Sequence, residues 1–178
     1  FAPLSVYALS KASAYYICEF YKKVFNLKIY GAIFFNHESE RRTPEYVSRK
    51  ITKAVARIFY NKQKKLYLGD MNIKIDWGYA RDYVEAAYNL TQLKKPNFYV
   101  IGTGKAYSIE YFVKKAFNFV GLDYKKFVFQ DKKLMRKAKN KTLVANTKKA
   151  KKDFNFKPKT TLNNLIKIML ENDLKLEK

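Results

Sequence analysis

The sequence predicts an α/β layer fold with a largely parallel sheet, and three observations carry that prediction. Short runs rich in β-branched and aromatic residues alternate with longer segments of helical periodicity, the pattern of strands joined by helical crossovers. Hydrophobic residues make up 48% and aromatic residues 17% of 178 residues, enough apolar surface for one well-cored domain and against disorder. No apolar run approaches the roughly 20 residues of a membrane span.

Taken in order, Tyr7 to Val24 reads as a helix, with Tyr7, Lys11, Ala14 and Cys18 at helical spacing. Lys28 to Phe35 (KIYGAIFF) reads as a buried strand that expects sheet neighbours on both sides. The polar segment Asn36 to Tyr46, with Pro44, reads as a loop. Val47 to Tyr60 is an amphipathic helix, Lys65 to Gly69 a short strand, and Tyr79 to Leu93 a helix introduced by Asp76-Trp77-Gly78. Phe98 to Ile101 is a strand ended by Gly102-Thr103-Gly104. Ser108 caps a helix that runs to about Val120, with Gly121 as its stop. Tyr124 to Gln130 reads as a strand, and Thr147 to Asp153 and Thr161 to Leu174 as helices separated by Pro158. With six glycines and no G-x-G-x-x-G, the chain contains no dinucleotide-binding turn of its own.

Lys and Arg total 37 against 15 Asp and Glu, a formal net charge of +22. Such a field attracts nucleic acid or an anionic surface. Only six of the cations are Arg, however, and base reading and bidentate phosphate grips favour that residue. A Lys-, Asn-, Tyr- and Phe-rich compositional bias therefore outweighs a dedicated nucleic-acid surface. The single cysteine, Cys18, excludes an internal disulfide and a Cys-based zinc site and fits a reducing compartment. No metal-ligand cluster stands out, and no basic leader with a short apolar core is visible. Phe1 in place of a starting methionine makes a piece of a longer polypeptide the expectation.

The candidate chemistry begins with Tyr-x-x-x-Lys, which sets a phenol and an ammonium one helical turn apart on one face. A neighbouring cation favours a phenolate, the form that accepts a proton as a general base. The spacing occurs four times, at Tyr7/Lys11, Tyr46/Lys50, Tyr60/Lys64 and Tyr111/Lys115, about as often as this composition supplies by chance. Context must therefore choose.

The opening segment Phe1-Ala2-Pro3-Leu4-Ser5-Val6-Tyr7-Ala8-Leu9-Ser10-Lys11 resembles the catalytic-helix entry of the extended short-chain dehydrogenase/reductase superfamily. Further motifs narrow the resemblance to the GDP-mannose 4,6-dehydratase family. They are Phe35-Asn36-His37-Glu38-Ser39-Glu40-Arg41-Arg42, the helix from Val47 to Ile58, Leu66-Tyr67-Leu68-Gly69, and Asp76 to Ala86, with a weaker echo at Thr147 to Pro158. They run in order over nearly the whole chain.

The resemblance implies the C-terminal part of a Rossmann-like NAD(P)-binding fold, a parallel sheet with flanking helices. It adds a smaller substrate-binding α/β subdomain, mainly residues 36–75 and 105–178. The implied cofactor is NADP and the implied substrate GDP-mannose. Tyr7 takes the proton of the sugar 4-hydroxyl while hydride leaves C4, and Lys11 holds the nicotinamide ribose and supports the phenolate. Water is then lost across C5 and C6, giving GDP-4-dehydro-6-deoxy-mannose, the work of a hydro-lyase. His37 and Arg42 match NADP-contacting positions, and the Arg41-Arg42 loop resembles one that reaches a neighbouring subunit's cofactor in a homo-oligomer. Asn36, Lys50 and Arg136 match substrate contacts. The implied location is the cytoplasm, with neither membrane nor nucleic acid as partner. The family's elimination Glu and its glycine-rich turn lie upstream of the Tyr7 position, so the chain looks like the C-terminal half of the enzyme and alone is expected to be inactive. Ile75 stands where the family has an Arg near the diphosphate, Lys139 where it has a Glu near the nucleoside, and Leu4 and Val6 where Arg and Pro are usual. Without the resemblance, His37 reads as a hydrogen-bonded strand-end residue and both arginines as solvated loop residues. Trp77 and Arg81 read equally as packing and a surface ion pair or as ligand contacts. Another nucleotide-sugar epimerase or reductase of the superfamily, and a basic nucleic-acid module, are the alternatives.

Overall fold

A computed structural model describes residues 2–135 and 142–178. Arg136 and Lys139 lie outside the described residues. The first helix, α1 (Val6–Val24), starts where the Ser5 hydroxyl accepts a hydrogen bond from the Ala8 N–H. It rests on the body through a narrow stripe of half-buried residues that includes Ala8, Ala12, Tyr15 and Cys18, and none of its side chains is fully buried. Tyr15 meets the Phe98 ring edge-on at 4.8 Å.

The chain then alternates as the pattern predicts. Strand β1 (Gly31–Phe34) runs parallel to β6 (Phe98–Ile101), Gly31 opposite Phe98 and Phe34 opposite Ile101. A Cβ at Gly31 would fall 2.0 Å from the Phe98 ring, so this pairing needs a glycine there. Strand β2 (Asn36–Glu38) runs parallel to β5 (Trp77–Tyr79), and β3 (Leu66–Leu68) parallel to β8 (Val128–Gln130). Strand β4 (Lys74–Ile75) is flanked by antiparallel β7 (Tyr107–Ser108) and parallel β9 (Thr142–Leu143). Five further α-helices follow among the described residues: α2 (Val47–Phe59), α3 (Ala80–Thr91), α4 (Ile109–Phe119), α5 (Lys148–Phe154) and α6 (Leu162–Glu177). Ser108 caps α4 by accepting from the Tyr111 N–H, as its sequence context predicts. Gly121 stands just beyond that helix at φ +72°, where a side chain would be strained.

Two apolar cores hold these layers. The larger joins α2, α4 and α6 over β3 and Trp77, with Ile51, Phe112, Phe117, Leu165 and Met169 among its buried members. The smaller joins α3, β6 and α5 through Tyr83, Leu90, Tyr99, Ile101 and Ala150. Trp77 is 2% exposed and its ring lies 5.2 Å from Phe112, which settles it as packing.

Three expectations are corrected. Asn36 to Tyr46 is not all loop, because the main chain of Asn36–Glu38 pairs with β5 although its side chains show no apolar alternation. In KIYGAIFF only Gly31–Phe34 forms strand, and half-buried and exposed residues alternate along it where a buried strand is expected. Tyr124–Lys126 is a 3₁₀ turn, fixed by the Asp123 carboxylate accepting from the Lys125 N–H, so the strand begins at Val128.

Candidate active site

The β2–β5 ladder sets Asn36 opposite Trp77 and His37 opposite Gly78. A Cβ on Gly78 would fall 2.2 Å from the Tyr83 ring, so this glycine lets Tyr83 come in against the strand. The His37 ring lies 5.4 Å from both Phe34 and Tyr83. Its Nδ1 is 2.9 Å from the Phe35 carbonyl. A carbonyl can only accept, so Nδ1 carries the proton on that side, which leaves Nε2 facing away from the main chain. Tyr83 is fully buried, and burial first, then the Asp76, Asp82 and Glu38 carboxylates, push its pKa far above the ordinary phenol value. Tyr83 therefore stays a neutral phenol and cannot serve as a base.

The segment after His37 is held from below. Glu38 is 3% exposed, accepts the Ser48 hydroxyl at 2.6 Å, and lies 3.2 Å from Arg42 Nε. Burial raises its pKa, against the opposing pull of Ser48, Arg42 and His37. The Arg42 guanidinium also stacks on Tyr46, 3.3 Å from the ring centroid. From α2, Arg49 donates through Nε and Nη2 to Asp173 Oδ1 at 2.8 and 2.7 Å, and through Nη1 to the carbonyls of Glu40 and Arg42. One guanidinium thus ties α6 to the loop that carries Arg41 and Arg42. Arg41 itself is exposed.

A second buried anchor lies at the β4–β5 corner. Asp76 has no exposure, and its two oxygens accept four hydrogen bonds: from the Thr103 N–H and hydroxyl at 2.9 and 2.5 Å, and from the N–H groups of Gly104 and Ala145 at 2.9 and 3.1 Å. Gly102 sits so close that a Cβ there would fall 2.2 Å from that of Ala145. Asp76 therefore joins the end of β6 to the chain that leaves β9.

At α1, Tyr7 is 72% exposed and the Lys11 ammonium lies 5.5 Å from its ring centroid, so phenol and cation share one face. The other three spacings separate in part. Tyr111/Lys115 repeats the geometry at 5.6 Å, Tyr46 is taken by Arg42, and Tyr60 lies beyond the end of α2. Lys50 donates to the Tyr67 carbonyl at 2.7 Å. The structure thus brings Arg42 against Glu38 and Tyr46, and fastens Lys50 to β3. Among the described residues, no hydrogen bond, ion pair or ring contact joins Tyr7 or Lys11 to His37, Arg41 or Arg42.

Ser48, Arg49, Asp76 and Asp173 were not legible as site residues. The one signal available was a charge, Arg49, on the buried stripe of α2 beside Ile51 and Thr52; its partner lies 124 positions away.

The family model described as GDP-mannose 4,6 dehydratase matches residues 1–169. The chain belongs to that family. It is 39% identical over 178 residues to GDP-mannose 4,6 dehydratase 1 of Arabidopsis thaliana, covering all of this chain and 49% of the relative. The Dictyostelium discoideum enzyme of the same name is 38% identical, with 98% of this chain and 54% of the relative aligned. The Homo sapiens enzyme is 34% identical, with 99% and 52% aligned. This dehydratase-family chain thus spans about half the length of the curated relatives it matches. Among solved structures, RMD from Pseudomonas aeruginosa complexed with NADPH superposes with a TM-score of 0.90 at 19% identity, over 98% of this chain and 58% of that one. The dTDP-glucose 4,6-dehydratase of Bacillus anthracis, in complex with NAD, gives 0.84 at 24%, over 98% and 54%. These likenesses give the family chain a Rossmann-like α/β fold, with parallel strands and flanking helices as the sequence predicts.

Proposed function

We propose that this chain is the base-bearing and substrate-binding part of an NADP-dependent GDP-mannose 4,6-dehydratase, converting GDP-mannose to GDP-4-dehydro-6-deoxy-mannose. The observation that carries the reading is the family match across residues 1–169, with Tyr7 and Lys11 side by side on one open face of a capped helix. Residues 36–75 and 105–178 form the substrate side.

What NADP needs at its nicotinamide end fits what this chain presents, since the Tyr7 phenol is open to a ligand with the Lys11 ammonium beside it. The pyrophosphate cradle is not among these residues. When bound, NADP accepts hydride from the sugar and returns it. Tyr7 takes the proton of the 4-hydroxyl through its phenol oxygen, a transfer that only an uncovered phenol can make. Lys11 holds the nicotinamide ribose and keeps the developing negative charge on Tyr7 within reach of a cation. His37, oriented by the Phe35 carbonyl, offers Nε2 to the cofactor. Asn36 and Lys50 hold the nucleotide sugar, with Arg136 as a further cation. Arg42, beside Glu38 and Tyr46, contacts the cofactor with His37, and the Arg41-Arg42 loop, on which Arg41 is exposed, reaches a neighbouring subunit's cofactor in a homo-oligomer. A reducing, cytoplasmic setting agrees with the free thiol of Cys18.

The test joins this chain to the preceding half of the Arabidopsis relative and supplies GDP-mannose and NADP. A 4-keto-6-deoxy sugar nucleotide is expected by mass spectrometry, with kcat lowered about 10²- to 10⁴-fold by Tyr7→Phe at unchanged thermal stability. The 178-residue chain alone gives no turnover. A joined protein that binds NADP yet makes no such product rejects the reading, as does undiminished activity in the Phe variant.

A further inference from the structure

Arg49 stands on the buried stripe of α2 beside Ile51 and Thr52, and is itself only 9% exposed. Its guanidinium divides its donors between two distant parts of the chain. Nε and Nη2 go to Asp173 Oδ1 on α6, at 2.8 and 2.7 Å. Nη1 goes to two main-chain carbonyls of one turn, those of Glu40 and, at 3.2 Å, Arg42. The residue before it, Ser48, donates to Glu38, the last residue of β2, where that turn begins. Two consecutive side chains at the start of α2 therefore grip the turn at its entry and at its exit, and α2 is fixed in the larger core.

Stability alone does not ask for this arrangement. Taking a guanidinium and a carboxylate out of water costs about as much as their attraction returns, and an apolar pair of similar volume joins two helices at least as well. Apolar material is already at hand in Ile51, Val55, Leu165 and Met169. A second pair, Arg57 with Glu177 at 3.2 Å, joins the same two helices, and its remaining hydrogen bond goes to the Lys62 carbonyl, away from the turn. What Arg49 adds is a donor for the carbonyls of Glu40 and Arg42. These two carbonyls flank the Arg41–Arg42 peptide, so their position sets where both arginine side chains begin. The Arg42 side chain is then settled by Glu38 and by the Tyr46 ring. A lysine brings one point charge and cannot span the carboxylate and both carbonyls, whereas the planar fork of an arginine does.

We propose that Arg49, held by Asp173, is a positioning residue for the cofactor: it keeps the turn of residues 38–42 in the form in which Arg42 meets NADP. Asp173 acts through Arg49 and Arg49 through the turn, so the strength of cofactor binding depends on α6 although α6 supplies no cofactor contact of its own. The inference rests on the cofactor role proposed above for His37 and Arg42.

The experiment uses the joined protein described above and follows NADPH binding by its fluorescence, beside a melting curve for each variant. Arg49→Met/Asp173→Leu exchanges the buried ion pair for apolar side chains. It is expected to melt no lower than the wild type, yet to bind NADPH about tenfold more weakly, the factor lost when a turn is in its competent form a tenth of the time. Arg49→Lys keeps a cation opposite Asp173 without the fork and is expected to weaken NADPH to a similar extent. The control Arg57→Met/Glu177→Leu removes the other α2–α6 pair and is expected to change NADPH affinity by less than about twofold. In turnover, both Arg49 variants should raise the KM for NADP with a much smaller change in kcat, since Tyr7 and Lys11 are untouched. Without cofactor, an arginine-specific protease should cut after Arg41 or Arg42 faster in both Arg49 variants than in the wild type or the control. Wild-type affinity in Arg49→Met/Asp173→Leu, or an equal loss in the Arg57 control, overturns the inference and leaves the dehydratase reading standing. So does a loss of NADPH binding that follows a fall in melting temperature while Arg49→Lys binds normally, which marks a structural role. A wild-type joined protein that binds no NADPH overturns the dehydratase reading and this inference with it.

Discussion

Replacing Asp76 tests whether a single buried carboxyl group holds the end of β6 and the exit of β9 together. Its two oxygens accept four hydrogen bonds, two at each oxygen, with no exposure to water. A hydrogen bond to a charged group contributes about 1.5–3 kcal/mol, so the four together contribute roughly 8 kcal/mol. Burying the carboxylate costs several kcal/mol, which offsets about half of that. Asp76→Ala is therefore expected to destabilise by about 3–5 kcal/mol, leaving the buried Ala145 N–H and the partly buried Thr103 and Gly104 N–H groups without their acceptor, while the Thr103 hydroxyl can still donate to the Lys105 carbonyl. Asp76→Asn keeps one oxygen and at most two of the four donors, so its cost falls between alanine and wild type. Total stability in such domains is about 5–15 kcal/mol, so the loss is easily read. In urea, with a slope of about 2 kcal/mol/M, the alanine midpoint moves down by about 2 M. An alanine variant within about 1 kcal/mol of wild type would refute the reasoning, because the four contacts would then contribute no more than the burial costs.

Two further outcomes follow from the loop beneath His37. Glu38 has its pKa raised by burial, so the stability it contributes is complete below the ordinary carboxylate value and is lost as pH rises through the elevated one. Glu38→Gln fixes the neutral form, so the wild type should lose stability relative to that variant as pH climbs from acid toward neutral in parallel denaturant titrations; a gap that is flat or moves the other way contradicts the burial argument. Asp173→Ala leaves the Arg49 guanidinium buried without its carboxylate, and about 3–5 kcal/mol of stability should be lost in urea unfolding. A cost below about 1 kcal/mol would mean that the Glu40 and Arg42 carbonyls satisfy Arg49 on their own.

The elements that were legible in the sequence are those whose information is local. The periodicity of Val47 to Tyr60 and the Ser108 cap both give helices within a residue or so of their observed ends. Strands β2, β4, β5, β7 and β9 were not found, because each is two or three residues long and exists only through partners distant in the chain. Asn36–Glu38 is polar at every position, and no reading of alternation could anticipate that β5 would lie beside it. The candidate site divides the same way. Tyr7, Lys11, His37, Arg41 and Arg42 stood out through motifs, whereas the Arg49–Asp173 pair and the Asp76 anchor are joined across 124 and up to 69 positions. The inward turn of Arg42 onto Glu38 and Tyr46 is likewise a property of packing that the motif Arg41-Arg42 does not carry.

Helix α1 has nineteen residues and not one fully buried side chain. A helix of that length, denied tertiary burial, owes its winding mainly to its own main-chain ladder and to Ser5. Its amides should consequently exchange with deuterium faster than those of α2 or α6, and a protease should nick it first. The distance between the Tyr7 phenol and the Lys11 ammonium is thus only as constant as that helix is wound, and whatever lies against α1 governs how often the pair is assembled.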